Sequence, residues 1–139
     1  MKLFGRPKDG KKVLFVCVEN AGRSQMAEGF FRKYAPNGWA SLSAGSRPTP
    51  EINPLAVEVM REVGIDISMQ RPKELSDELV RASFLKISMG CIDQKECPAV
   101  FLGNFQDWGI EDPKGKPIEK VRQIRDAIES RVKELVKSL

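Results

Sequence analysis

The chain has 139 residues, 41% of them hydrophobic and 30% charged, and its 23 basic against 19 acidic residues leave a net charge of +4. That is the size of one ordinary domain, able to bury roughly two thirds of its unfolded surface, and no apolar run approaches the ~20 residues that cross a bilayer. Histidine is absent and there are three cysteines. The first fact excludes Cys-His and Ser-His-Asp catalysis and most zinc sites, so no metal or other cofactor is expected. The second is an odd number for a disulfide scaffold and fits reactive or buried thiols in the reducing cytoplasm.

In chain order, residues 1–11 form a basic N-terminal extension, expected to be flexible, in which Lys2, Arg6, Lys8 and Lys11 face only Asp9. No apolar stretch follows that would make it a secretory signal. No basic helix face or aromatic platform accompanies the charge, so it is expected to be a solvated tail, with neither nucleic acid nor membrane as partner. A single domain is expected over 12–139. It opens with Val13-Leu14-Phe15-Val16, a β-branched and aromatic run that predicts a central parallel strand over 12–17. From Arg23 the apolar residues Met26, Ala27, Phe30, Phe31 and Tyr34 recur at helical spacing, predicting a helix over 23–35 that Pro36-Asn37-Gly38 stops.

Residues 39–43 alternate weakly and predict a short second strand. A Pro-rich connection leads to Asn53, a good N-cap, with Pro54 at the first helical position. The second helix carries Leu55, Ala56, Val59, Met60 and Val63, and Gly64 closes it in a left-handed conformation. A third helix is expected after Ser76 with Leu79 and Val80 inward. Residues 84–89 predict a third strand and 99–105 a shorter fourth, interrupted by Gly103 and Asn104. From Pro117 the stripe Ile118, Val121, Ile124, Ile128, Val132, Leu135 predicts a long amphipathic helix to the C-terminus. This alternation implies an α/β fold: a three-layer, four-stranded parallel sheet with helices on both faces and right-handed crossovers. Sites in such sheets lie at the carboxyl ends of the strands.

Cys17 leaves the first strand at that end, and between it and the first helix lies Cys-x5-Arg-Ser. A short loop here can turn its backbone N–H groups inward, and the helix start adds free N–H groups and its positive dipole end, a cradle for a tetrahedral oxyanion. A thiol pKa is about 8.5 when free and falls to roughly 3.5–7.5 in such settings, the thiolate being the reactive form. Arg23 offers a planar fork for two oxygens. Ser24 can hydrogen-bond the sulfur, and Asn20 and Gly22 tolerate left-handed angles. The loop Val18, Glu19, Asn20, Ala21, Gly22, with Arg23 and Ser24, is the expected oxyanion-binding segment, and Cys17 the nucleophile. The plain alternative is a small buried cysteine ending a strand and an ordinary first-turn arginine. Cys91 and Cys97 lie on one polar loop with five residues between them, spaced so that the sulfurs can meet. They can equally be two inert thiols.

The run Val-Leu-Phe-Val-Cys-Val-Glu-Asn-Ala-Gly-Arg-Ser-Gln-Met-Ala-Glu resembles the signature of the low-molecular-weight protein tyrosine phosphatase superfamily, and its continuation most resembles the thiol-dependent arsenate reductase branch. Ser43-Ala44-Gly45, Gly64-Ile65-Asp66-Ile67-Ser68, Met89-Gly90-Cys91, Cys97-Pro98 and Trp108 through Asp112-Pro113 extend the likeness over nearly the whole chain. The resemblance implies that Cys17 attacks arsenate, Cys91 then attacks Cys17 to release arsenite, and Cys97 attacks Cys91, moving the disulfide outward to a thioredoxin-like or other thiol reductant. It makes Asp112 the acid that protonates the leaving oxygen, aimed by Pro113. The alternative within the family is a phosphatase using Cys17, Arg23 and Asp112 alone. Three departures stand out. The first relay cysteine of the reductase branch falls one place earlier, where this chain has Gly90. Lys114-Gly115-Lys116 follows Asp-Pro in place of aromatic residues. Glu19 stands where the family often has glycine, and its carboxylate is expected to point outward.

Overall fold

In the computed structural model, residues 10–90 and 104–139 are described. The elements are β1 (Lys11–Cys17), α1 (Arg23–Tyr34), β2 (Trp39–Gly45), α2 (Pro54–Glu62), α3 (Asp77–Ala82), β3 (Leu85–Ser88), β4 (Gln106–Asp107) and α4 (Ile118–Lys137). They make a four-stranded sheet in the order β2-β1-β3-β4, every pairing parallel.

β1 shows why the sheet has helices on both faces. Val13 to Val16 are fully buried, and the strand's two-residue period divides them. Val13, Phe15 and Cys17 join Met26, Phe30 and Phe31 of α1, Val59 and Met60 of α2 and Ile124 and Ile128 of α4. Leu14 and Val16 face the other way, into a smaller cluster against which Leu79 and Val80 of α3 pack. Three layers follow, and α3 is the helix that packs on the second face among the described residues.

The helix ends follow the local chemistry. Asn53 caps α2 by accepting from Leu55 N–H at 2.9 Å, with Pro54 behind it, and Gly64 at φ +82 turns the chain away. Ser76 caps α3. α1 has no side-chain cap; Gly22 precedes it, so the first-turn N–H groups are left to whatever occupies the space beyond.

The fourth strand differs from the sequence expectation. Residues 99–103 lie outside those described, Phe105 belongs to no strand, and pairing with β3 falls on Gln106 and Asp107, opposite Ile87 and Ser88. Both are exposed, so this strand is made by backbone bonds alone and leaves no apolar pattern to read. β1 begins at Lys11, paired with Trp39, one residue earlier than expected, and Lys11 Nζ lies 4.6 Å from the Phe84 ring centroid. No helix among the described residues is long and apolar enough to cross a membrane.

The register brings Cys17 opposite Gly45 and Val16 opposite Ser88, so three strands end together. Gly45 is needed there: a Cβ would lie 2.6 Å from Val18 O and 2.9 Å from Asn20 N. The end of β2 therefore supports the loop that follows β1.

Candidate active site

Cys17 is 3% exposed, and its Sγ receives donors from the loop that follows it. Asn20 N–H donates to it at 3.2 Å, and Ser24 Oγ lies at 2.9 Å. Asn20 is the one non-glycine residue at positive φ among those described, at φ 52. Asn, with a short side chain that bonds locally, tolerates this conformation better than most. The fully buried Asn20 amide fixes the loop at both ends. Its Oδ1 accepts from Lys73 N–H at 2.8 Å, and its Nδ2 donates to Ser24 Oγ at 2.6 Å. Because Lys73 N–H can only donate, Oδ1 must face it and Nδ2 must face Ser24. Ser24 Oγ then accepts from Asn20, and its own hydrogen is left for the sulfur. Gln25, also fully buried, donates to Asn20 O at 2.9 Å and accepts from Gln70 Nε2 at 2.7 Å.

The connection over 47–53 tracks the loop from outside. Arg47 N–H donates to Val18 O, Thr49 N–H to Glu19 O and Asn53 N–H to Ala21 O. Three loop carbonyls are thus turned away from the sulfur.

Arg23 is 8% exposed. Its Nη1 donates to Ile110 O at 2.8 Å and Met89 O at 3.4 Å, and its Nη2 lies 3.9 Å from Asp112 Oδ2. Asp112 is largely exposed, and its Oδ1 accepts from Lys114 N–H at 3.0 Å. Pro113 packs over Gly22, where a Cβ would meet its Cγ at 3.0 Å. The carboxylate of Glu19 is turned to Lys114, 2.9 Å from Nζ. That pairing holds the Lys114 ammonium above its usual pKa and joins the loop after β1 to the segment carrying Asp112.

These groups open on a cavity of about 700 Å³ whose walls include Cys17, Arg23, Arg47, Ile52, Asp112 and Lys114, with Val18, Glu19, Ala21 and Gly22 at its floor and rim. Among the described residues, none that lines it is aromatic. The structure thus brings together Cys17, the loop over 18–22, Arg23, Ser24 and Asp112. Cys91 and Cys97 lie outside the described residues. Sequence reasoning missed Lys73, Gln25 and Ile110. Lys73 and Ile110 act through backbone atoms, which no side-chain pattern reports.

A parallel α/β sheet with a buried cysteine at the carboxyl end of β1, a short loop and a buried arginine opening the next helix defines a class of oxyanion-cradling proteins. More particularly, the chain belongs to the low molecular weight phosphotyrosine protein phosphatase family, whose model matches residues 12–139. It is 37% identical over 128 residues to arsenate reductase 2 of Staphylococcus saprophyticus, covering 91% of this chain and 96% of that one. A solved arsenate reductase in the phosphate-binding state superposes with a TM-score of 0.80 at 36% identity, covering 92% of this chain and 98% of that one. A thioredoxin-dependent arsenate reductase of Corynebacterium glutamicum gives a TM-score of 0.76 at 40% identity, covering 98% of this chain and 64% of that one.

Proposed function

We propose that the chain is an arsenate reductase working by thiol–disulfide relay in the cytoplasm, its catalytic domain running from the start of β1 at Lys11 to residue 139. The observation that carries the reading is the sulfur of Cys17, met by Asn20 N–H and the Ser24 hydroxyl, beside the buried Arg23 fork. The oxyanion sits against the N–H groups of the loop over 18–22 and the first turn of α1, with Arg23 Nη2 on one side. Cys17 thiolate attacks arsenic, and the displaced oxygen leaves as water with a proton from Asp112. A second thiol, Cys91, then attacks the Cys17 sulfur. The S–S bond forms, the S–As pair passes to arsenic, As(V) becomes As(III), and arsenite leaves. Cys97 attacks Cys91 and frees Cys17, and a thioredoxin-like dithiol reduces the Cys91–Cys97 bond.

The relatives named above support reduction over ester hydrolysis, and so does the mouth of the cavity. Lys114 after Asp-Pro is paired with Glu19, and the described residues that line the cavity include no aromatic side chain to hold an aryl group. The second reading, a phosphatase forming a cysteinyl-phosphate on Cys17, uses the same nucleophile, clamp and acid.

Two assays on single variants separate them. Cys91→Ser and Cys97→Ser are expected to lose thioredoxin-coupled arsenate reduction while retaining hydrolysis of p-nitrophenyl phosphate at close to the parent rate. Normal reduction by either variant would remove the relay. Asp112→Asn is expected to slow hydrolysis by about 10²–10⁴-fold for alkyl esters, whose leaving oxygen needs the proton, and far less for p-nitrophenyl phosphate. Equal losses on both substrates would assign Asp112 a structural part instead.

A further inference from the structure

We propose that Gly90 is a positioning residue for Arg23: its bare Cα is the seat against which the guanidinium is held in the orientation that presents its outer nitrogens to the oxyanion. The proposal rests on the reading of Arg23 as the oxyanion clamp.

A Cβ built on Gly90 would lie 2.7 Å from Arg23 Nη1 and 3.0 Å from Ile110 O, the two atoms of the bond that fixes the guanidinium. The backbone at this point has little freedom to retreat. Met89 N–H donates to Val16 O at 2.8 Å, Ile110 N–H donates to Met89 O at 2.8 Å, and Gly90 N–H donates to Ser88 Oγ at 3.4 Å. Met89 itself is fully buried. Met89, immediately before it, is thus held to β1 on one side and to the 108–110 segment on the other, and the atom most able to move away from a new methyl group is the end of the arginine. Gly90 also sits at φ +142, a region that L side chains rarely adopt.

The test uses inorganic phosphate as the probe. Alkylation of Cys17 by iodoacetamide is followed by peptide mass spectrometry at increasing phosphate, in the full chain. In the unsubstituted protein phosphate is expected to slow the reaction; if it does not, the clamp reading itself fails. In Gly90→Ala the phosphate concentration that gives half-protection is expected to rise roughly tenfold, the loss of one charged hydrogen-bond alignment. Gly64→Ala is the control, since Gly64 is also at positive φ, +82, but has nothing within 4 Å of a new Cβ. It is expected to lose thermal stability while keeping parental protection. In an Arg23→Lys background, Gly90→Ala is expected to add almost nothing further. Parental protection in Gly90→Ala, or effects of the two substitutions that simply multiply, would overturn the proposal. A measurement needing no change at 90 covers a variant that fails to fold. The Gly90 amide resonance is expected to titrate with phosphate in the parent and to stop doing so in Arg23→Lys. An amide that does not respond in the parent would overturn the proposal equally.

Discussion

Cys17→Ser is expected to abolish both arsenate reduction and phosphate-ester hydrolysis, by at least about 10⁴-fold, while leaving oxyanion binding nearly intact. The substitution is close to isosteric, and the site is 3% exposed, so the core cluster that Cys17 shares with Phe15 and Met26 keeps its packing. What changes, in the proposed mechanism, is the attacking atom. Asn20 N–H and the Ser24 hydroxyl point at this position, and a thiolate can use both donors, whereas a serine hydroxyl is not ionised at neutral pH and attacks poorly. The loop, the start of α1 and Arg23 are untouched, so the cradle remains. Both reactions assayed side by side, with phosphate affinity measured by calorimetry, check the expectation. Residual turnover at a tenth of the parent rate would mean that another group attacks, and lost phosphate affinity would mean that the sulfur had been holding the loop together.

Arg23→Lys is expected to lower kcat/KM for either substrate by about 10²–10³-fold, the cost of removing a preorganised charged donor at a developing oxyanion. The charge is retained, so the experiment isolates geometry: an ammonium is a point donor without the planar fork. The arginine also has a structural duty. Nη1 is shared between Ile110 O and Met89 O, and Nη2 approaches Asp112. Met89 O keeps the Ile110 N–H, but a lysine that does not reach Ile110 O leaves that carbonyl without its donor, so the melting temperature is expected to fall by the equivalent of about 1–3 kcal/mol. Steady-state kinetics and thermal unfolding on one preparation read the two effects separately. A variant with full activity and lowered stability would make Arg23 a structural residue rather than a clamp.

Much of this arrangement was open to a reader of the chain. β1 is an unbroken apolar run because a central parallel strand is buried on both faces, and its alternate residues do enter two different clusters. α4 carries a stripe at helical spacing because one face packs against α1 and α2. Asn53-Pro54 and Ser76 announce helix starts because their caps are local, closed within two or three residues. Nothing in the sequence indicated that Lys114 would pair with the carboxylate of Glu19. The short β4 was not legible in the same way, since Gln106 and Asp107 contribute only backbone atoms to the sheet.

The sequence by itself determined the strand, loop and helix around Cys17 and the chemical kinds of group at the site, because these depend on side-chain type and short-range spacing. How the arginine is held depends instead on long-range packing. Its partners at Met89 and Ile110 lie 66 and 87 residues away, and both are carbonyls. The grip on Asn20 from Lys73, 53 residues distant, is a backbone N–H. Such groups are the same in almost every residue, so which of them reaches the site is fixed by how the strands end together and not by any letter of the chain.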